Sequence, residues 1–429
     1  MSESINRRTF LEGAAAGGVM AGMALSAKAA RAAESPSNKV VVGVMGLSRG
    51  RSLAAGFAKQ PGCEVKYVCD VDFTRAGSAV DLLVGAGAKK PTAITDFRKI
   101  LDDKEVDALV CAAPNHWHAP STILACDAGK NVYVEKPCCH NPREGELMIE
   151  AARKHKRAVQ MGSQRRSGPG TSAAIKKLHD GLIGDVYLVR AYYANARGSL
   201  GHGKPAEVPS YLNYELWQGP APRMPYLDNR IHYNWHWFWH WGNGELGNNG
   251  VHTLDLCRWG ADVDYPIHVT SSGGRYCYDD DQQTPDTHTV CFEFEGGKQI
   301  SWQGTSCHRR SPGFITFFGS KGAMELESNG EHTVFDDKNK QVERTPSPSL
   351  GDAEHLANFL DAIRNDAPLS LNAEIEEGYK STLLCHLGNI AQRTGRALKC
   401  NPENGHILDD AEAMTYWSRE YEKGWEPKV

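Results

Sequence analysis

Little in this chain favours a nucleic acid or a lipid bilayer as partner. Basic residues do not cluster, none interleave with aromatics, and 48 Lys and Arg against 52 Asp and Glu leave a formal net charge of −4. A protein that neutralises phosphates needs the opposite balance. After the first 33 residues no apolar run approaches the roughly 20 residues of a membrane-spanning helix, so no membrane anchor is expected there. No internal repeat is present. The twelve cysteines are scattered through a long chain rather than densely spaced as in a disulfide scaffold. Cys69, Cys111 and Cys291 fall in expected strands, where a thiol packs as a small hydrophobe. Free thiols are therefore expected throughout, the vicinal pair Cys138-Cys139 included.

What is present begins with a leader. Asn6-Arg7-Arg8-Thr9-Phe10-Leu11 precedes a Gly/Ala-rich apolar stretch and Ala-x-Ala sites near residues 27–32. A basic pair, a modest apolar segment and small residues at a cleavage site describe an export signal, here of the twin-arginine (Tat) type, over residues 1–33. That route carries folded proteins, and it suits a chain that loads a nucleotide before leaving the cytosol. The mature protein, roughly 395 residues by this logic, is expected in the periplasm or its equivalent and is long enough for two domains.

From residue 38 to 162 strand and helix patterns alternate. Val40-Val41-Val42-Gly43-Val44 is apolar enough for a strand buried on both faces. Further strands are expected over residues 65–69, 108–113, 132–134 and 158–161, with helices around Leu53 and Phe57, near 97–101, near 120–127 and over 142–154. Repeated βα units argue a parallel sheet with helices on both faces, an α/β nucleotide-binding domain. The first turn, Gly46-Leu47-Ser48-Arg49-Gly50-Arg51, departs from G-x-G-x-x-G: Ser48 holds the second glycine position and Gly50 precedes the third by one residue. A dinucleotide needs a tight strand-to-helix turn that lets its pyrophosphate reach the helix N-terminus. Gly46 and Gly50 supply much of that, and Ser48 and Arg49 line the approach. Asp70, about twenty residues on at a strand end, is placed to accept from a ribose hydroxyl. A carboxylate there favours NAD; nearby Arg75 leaves NADP open.

Two more strand ends carry Ala113-Pro114-Asn115-His116-Trp117-His118 and Val134-Glu135-Lys136-Pro137. With the glycine turn, they make the chain resemble the Gfo/Idh/MocA oxidoreductases, a family that includes glucose–fructose oxidoreductase and inositol dehydrogenases. The resemblance implies a Rossmann domain followed, over residues 163–429, by an α+β domain with a large open, mostly antiparallel sheet for substrate binding and oligomerisation, commonly as a dimer or tetramer. It implies that Pro114, Asn115 and His118 line the nicotinamide side of the cofactor, and that Glu135 and Lys136 belong to the same site. Lys136 would contact both the nicotinamide ribose and a substrate hydroxyl. Chemistry supports that role. Oxidising a secondary alcohol requires its proton to leave as the hydride does, and a partly buried amine with a lowered pKa can orient the hydroxyl and relay that proton.

In the second half, strands are expected near residues 186–193, 267–272, 288–295, 298–304, 314–318 and 323–327, with helical stripes through Leu356, Phe359, Leu360 and Ile363, and through Leu383, Leu384, Leu387 and Ile390. Read on a helix, Asn248, His252 and Asp255 fall on one face. The family resemblance places an aspartate and a general acid/base histidine four apart here. His252 matches the histidine; Asn248 stands where the aspartate would be. An amide orients but cannot stabilise an imidazolium by charge, so a lowered His252 pKa is expected, with Asn248 positioning either His252 or Lys136. Upstream, His232-Tyr233-Asn234-Trp235-His236-Trp237-Phe238-Trp239-His240-Trp241 reads equally as a sugar-stacking surface or as interdomain core or subunit contact. His232, His236 and His240 have helical ligand spacing but no matching carboxylates, and no metal site is expected.

Two functions remain open. One is an exported NAD(P)-dependent oxidoreductase acting on a sugar or cyclitol with a tightly bound cofactor. The other is glycoside cleavage or isomerisation through transient oxidation without net redox. A non-catalytic sugar-binding relative is disfavoured by intact Glu135-Lys136-Pro137 and His252.

Overall fold

The computed structural model describes residues 38–429; the leader lies outside the described residues. Six parallel strands form the first sheet: β1 (Val40–Met45), β2 (Cys63–Cys69), β3 (Thr92–Ile94), β4 (Ala108–Cys111), β5 (Asn131–Val134) and β6 (Val159–Met161), in the order β3-β2-β1-β4-β5-β6. Met45 pairs with Cys69 on one side and Cys111 on the other, so the ends of β2, β1 and β4 lie level. Strand order reverses between β1 and β4, and that switch opens the crevice where doubly wound sheets bind nucleotides.

The helix after β1 spans Gly50–Ala58, with Leu53 and Phe57 buried on the sheet. A second helix, Phe73–Gly85, lies beyond the expected elements; Asp72 caps it, accepting from the Thr74 and Arg75 N–H groups. The helix expected near residue 120 starts earlier, over Asn115–Asp127, with Pro120 inside it. His116, Trp117 and His118 are all buried in its first turn, and this packing outweighs the loss of one backbone donor at Pro120.

The second sheet has eleven strands, mixed and mostly antiparallel. Its spine is β7 (Val186–Ala196), which pairs parallel with β10 (Lys298–Thr305) and antiparallel with β12 (Ile315–Gly319). β9 (Thr287–Phe294), β8 (His268–Gly274), β16 (Leu398–Cys400) and β17 (Ile407–Leu408) extend one side; β13 (Gly322–Leu326), β14 (His332–Asp336) and β15 (Gln341–Thr345) extend the other, and the short β11 (Cys307–His308) pairs with the end of β7. The helix Ile375–Thr394 is buried along most of its length and shares one continuous core with the first sheet and with Trp302 and Leu246. Helix Asp352–Arg364, also late in the chain, covers the outer face of the first sheet, where Phe359 meets the Phe57 and Tyr133 rings edge-on at 6.1 and 5.8 Å. Elements from both halves therefore enclose the crevice.

Candidate active site

A cavity of about 470 Å³ opens at the C-terminal ends of the parallel strands, between the two sheets. Gly46, Ser48, Arg49, Asp70, Pro114, His118, Glu135, Lys136, Asn248 and His252 all line it. Gly50 and Asn115, expected beside them, are not in its wall: Gly50 is buried under the turn, and Asn115 is buried in the first turn of its helix.

Backbone geometry explains the two glycines. Gly46 has φ +83°, and a Cβ there would meet the backbone N of Ala113 at 2.5 Å; only glycine lets β1 turn this close to the end of β4. At Gly50 a Cβ would lie 3.1 Å from Val44, so the residue allows tight helix–strand packing. The N–H groups of Ser48 and Arg49 have no backbone partner among the described residues, which leaves donors at a helix N-terminus for an anion. Asp70 is oriented by the N–H groups of Leu47 (2.7 Å) and Asp72 (2.9 Å). Burial raises its pKa, and each oxygen keeps a lone pair for a ribose hydroxyl. Arg75 shares the wall and pairs with Asp72 at 3.7 Å. These residues fit a dinucleotide: a tight glycine turn, unbonded helix N–H groups and a fixed carboxylate one strand away.

At the other end, buried Glu135 takes the Arg49 guanidinium at 3.2 Å, and Arg49 reaches on to Asp352 at 3.4 Å. The Lys136-Pro137 peptide is cis. Lys136 Nζ donates to the carbonyl oxygen of Asn248 at 2.8 Å and approaches its side-chain Oδ1 at 3.3 Å. Asn248 therefore positions the lysine, one of the two roles open for it. Burial lowers the lysine pKa; Glu135 and Glu245 oppose that, and the Arg49 and Arg165 guanidiniums add to it. His252 lies half-buried in the same wall with no hydrogen bond to its ring among the described residues. Burial, then the charges of Lys136, Arg165 and Arg49, hold its pKa well below the ordinary imidazole value. A neutral imidazole and an amine of reduced basicity thus face one space, a pairing suited to accepting and relaying a proton.

His118 has a different setting. Its ring nitrogens lie 2.6 Å from the Pro137 carbonyl oxygen and 2.7 Å from that of Ala113, so the ring ties the ends of β4 and β5 together. Burial depresses its pKa, and a neutral ring donates to one of these carbonyls at a time.

The Asn248/His252/Asp255 face is broken by a π-helical turn over Leu246–Gly250 ahead of the helix Val251–Ala261. Asn248 and His252 reach the cavity, whereas Asp255 turns to a buried ion pair with Arg166 at 2.9 Å. The wider turn resets Asn248 against the helix that follows, whereas His252 and Asp255 stand three apart within that one regular helix; Asp255 is drawn from the cavity by Arg166 and by the Ser381 hydroxyl, which donates to it at 2.7 Å. The aromatic segment divides as well. Trp237, Phe238 and Trp241 are core, while Tyr233, Trp235 and His236 line the cavity. The three histidines take separate partners: His232 meets Asp72 at 3.1 Å, His236 the Tyr233 carbonyl, and His240 that of Pro222.

Arg165 and Gln164, which no sequence motif marks, also line the cavity. They follow β6, and the strand-end rule that singled out Asp70 and Lys136 reaches them too. Buried Glu245 is equally unmarked; it takes Arg197 at 2.7 Å and Ser306 at 3.0 Å, while Arg197 donates to the Tyr233 hydroxyl at 2.9 Å.

Residues 37–163 match a family model described as oxidoreductase family, NAD-binding Rossmann fold, and residues 195–426 one described as oxidoreductase family, C-terminal alpha/beta domain. An alpha-N-acetylgalactosaminidase of Shewanella oneidensis is 28% identical over 211 residues, 44% of this chain and 46% of that protein. A glycosyl hydrolase family 109 protein of Streptomyces coelicolor is 28% identical over 205 residues, 43% of each. The chain spans less than half the length of these curated relatives. Among solved structures, an aldose-aldose oxidoreductase of Caulobacter crescentus complexed with glycerol aligns with a TM-score of 0.65 and 20% identity, over 84% of this chain and 99% of that one. A levoglucosan dehydrogenase in complex with NADH and levoglucosan gives 0.66 and 19% over the same shares. At such identities the likeness is one of fold.

Proposed function

Because this chain belongs to the Gfo/Idh/MocA oxidoreductase family, we propose that it holds a nicotinamide cofactor in the crevice and exchanges a hydride with a carbon of a sugar or cyclitol. The observation that carries this reading is the contact across the cleft, where Lys136 at the end of β5 is held by Asn248 of the second domain, beside a neutral His252. Bound nicotinamide supplies the hydride exchange. The chain's residues do the rest. Asp70 accepts from the adenosine ribose, which favours NAD over NADP, and the N–H groups of Ser48 and Arg49 meet the pyrophosphate. Lys136 orients the substrate hydroxyl and takes its proton, and His252 exchanges that proton onward. Asn248 keeps the lysine pointing at the hydroxyl. The leader suits export of the loaded protein, with the cofactor regenerated in place.

A second reading is favoured by the relatives named as glycosidases. Oxidising a ring carbon acidifies the neighbouring C–H; loss of that proton with the aglycone leaves an unsaturated ketone, water adds across its double bond, and the hydride is then returned. Lys136 and His252 would serve as the bases in that sequence, and no net redox change would follow.

The test starts with protein purified without added cofactor, denatured, and its nucleotide identified by absorbance and mass. Stoichiometric NAD(P) is the expected result, and its mass decides between the two cofactors. Loaded enzyme is then given free sugars and nitrophenyl glycosides. Net NAD(P)H points to the dehydrogenase, and aglycone release without it to the second reading. A protein that neither carries nor binds NAD(P) ends both.

A further inference from the structure

The cavity holds more positive charge at its reacting end than the chain balances. Its acidic wall residues are Asp70, Glu135 and Asp352. Asp70 stands at the ribose end. Glu135 and Asp352 are both bridged by Arg49. Lys136 and Arg165 have no ion pair within 4.0 Å among the described residues; one rests on Asn248, the other donates through Nε to the Ser328 carbonyl oxygen at 3.1 Å and lies over the Phe314 ring at 5.3 Å. Lys136 can shed its charge, since burial already lowers its pKa. A guanidinium cannot. Arg165 thus keeps a permanent charge, with Nε on a backbone carbonyl and its terminal N–H donors without a partner among the described residues, in the wall that carries Lys136 and His252. Leaving a half-buried charge without a facing anion is costly.

On the proposed carbohydrate oxidoreduction, we infer that the substrate carries a carboxylate, as in a hexuronic acid or its glycoside, and that Arg165 is the residue that selects it. A guanidinium matches a carboxylate through two parallel hydrogen bonds, and stacking on Phe314 would keep its plane fixed while its edge stays available. The carboxylate would neutralise the charge that Arg165 brings to the site, and anchoring one end of the ring would set which hydroxyl reaches Lys136.

The test is equilibrium binding to the NAD-loaded full chain by calorimetry, comparing D-glucuronate and D-galacturonate with D-glucose and D-galactose. Binding does not depend on turnover, so it is read apart from the reaction itself. At least one uronate is expected to bind more than about tenfold tighter than its neutral counterpart, the scale of one charge-assisted pair. Arg165→Gln should bring that ratio to about one without changing the neutral sugar's Kd or the retained nucleotide, and Arg165→Lys should restore part of it, which separates loss of the charge from damage to the site. Equal binding of charged and neutral sugars, a preference that survives Arg165→Gln, or no uronate binding to loaded protein would each overturn the inference. Loss of nucleotide from the wild-type protein would instead defeat the proposed function on which it rests.

Discussion

The two walls of the cavity are built by different rules. On the nucleotide side, Gly46, Asp70, Pro114, Lys136 and Arg165 stand within a few residues of the ends of β1, β2, β4, β5 and β6. A parallel sheet gathers those ends whatever the intervening helices do, so chain order alone places the residues. On the substrate side, Tyr233 and His236 come from a short 3-10 turn and the residue ahead of it, and Asn248 from a π turn. Their positions depend on tertiary partners such as the Arg197–Glu245 pair and the buried tryptophans beneath them. One wall is specified locally, the other by what it packs on.

The sharpest way to probe their meeting point is Lys136→Met, which removes the amine but keeps an apolar stem. Turnover should fall by about 10³-fold, with nucleotide retention and Tm nearly unchanged. A loss of less than tenfold would show that the contact across the cleft is structural only.

Breaking each wall separately should give opposite phenotypes. Gly46→Ala forces a side chain into φ +83° and onto the Ala113 backbone, at a cost of about 2–5 kcal/mol. Nucleotide should be lost with stability, read by thermal melting and by the released cofactor. Glu245→Gln withdraws the carboxylate from Arg197, Ser306 and Asn249, costing about 2–3 kcal/mol. Here the nucleotide should stay while the substrate KM rises. If both variants lost nucleotide equally, the walls would not be separable.

Legibility from sequence follows the same division. The glycine turn, Asp70 and Glu135-Lys136-Pro137 announce themselves because each is a short motif beside a β-branched run. Arg165 obeys the same strand-end rule without any motif around it. In the second half the principal strands and the Leu383–Ile390 stripe show in hydrophobic period, but β14 and β15 do not. The π turn cannot be read at all, because a helical wheel assumes 3.6 residues per turn. Asp255 shares the regular helix of His252, and its pairing with Arg166 instead of the cavity is set by a partner far along the chain. The aromatic segment has one composition and two fates, since burial is decided by partners far along the chain.

Asn248→Asp tests how charge, rather than geometry, sets the meeting point. A carboxylate beside Nζ stabilises the ammonium and raises the pKa that burial had lowered. If the free amine is required, the acid limb of kcat/KM should move up by about 1–2 pH units, with slower turnover at neutral pH. An unmoved limb would assign the titration to another group.

The smallest effect lies where the two halves are tied together away from the cavity. Glu144, at the start of the nucleotide-side helix Pro142–His155, is buried and accepts from the Tyr421 hydroxyl at 3.0 Å and the His140 N–H at 2.8 Å. Burial, against the opposing pull of Arg419, raises its pKa to about 7. An unfolded glutamate titrates near 4.5, so between those values the folded state binds the extra proton. Stability from this group is then fully present below about pH 4.5 and is lost as pH rises through about 7. Glu144→Gln keeps an acceptor for the His140 N–H and turns its amide toward the Tyr421 oxygen, but cannot ionise. The variant should raise Tm by a few degrees at pH 8 and leave it unchanged near pH 4.5. Because Tyr421 belongs to the C-terminal tail, the same melts report whether that tail unfolds with the nucleotide domain. A single transition that shifts as a whole would mean the two walls, though specified differently, stand or fall together.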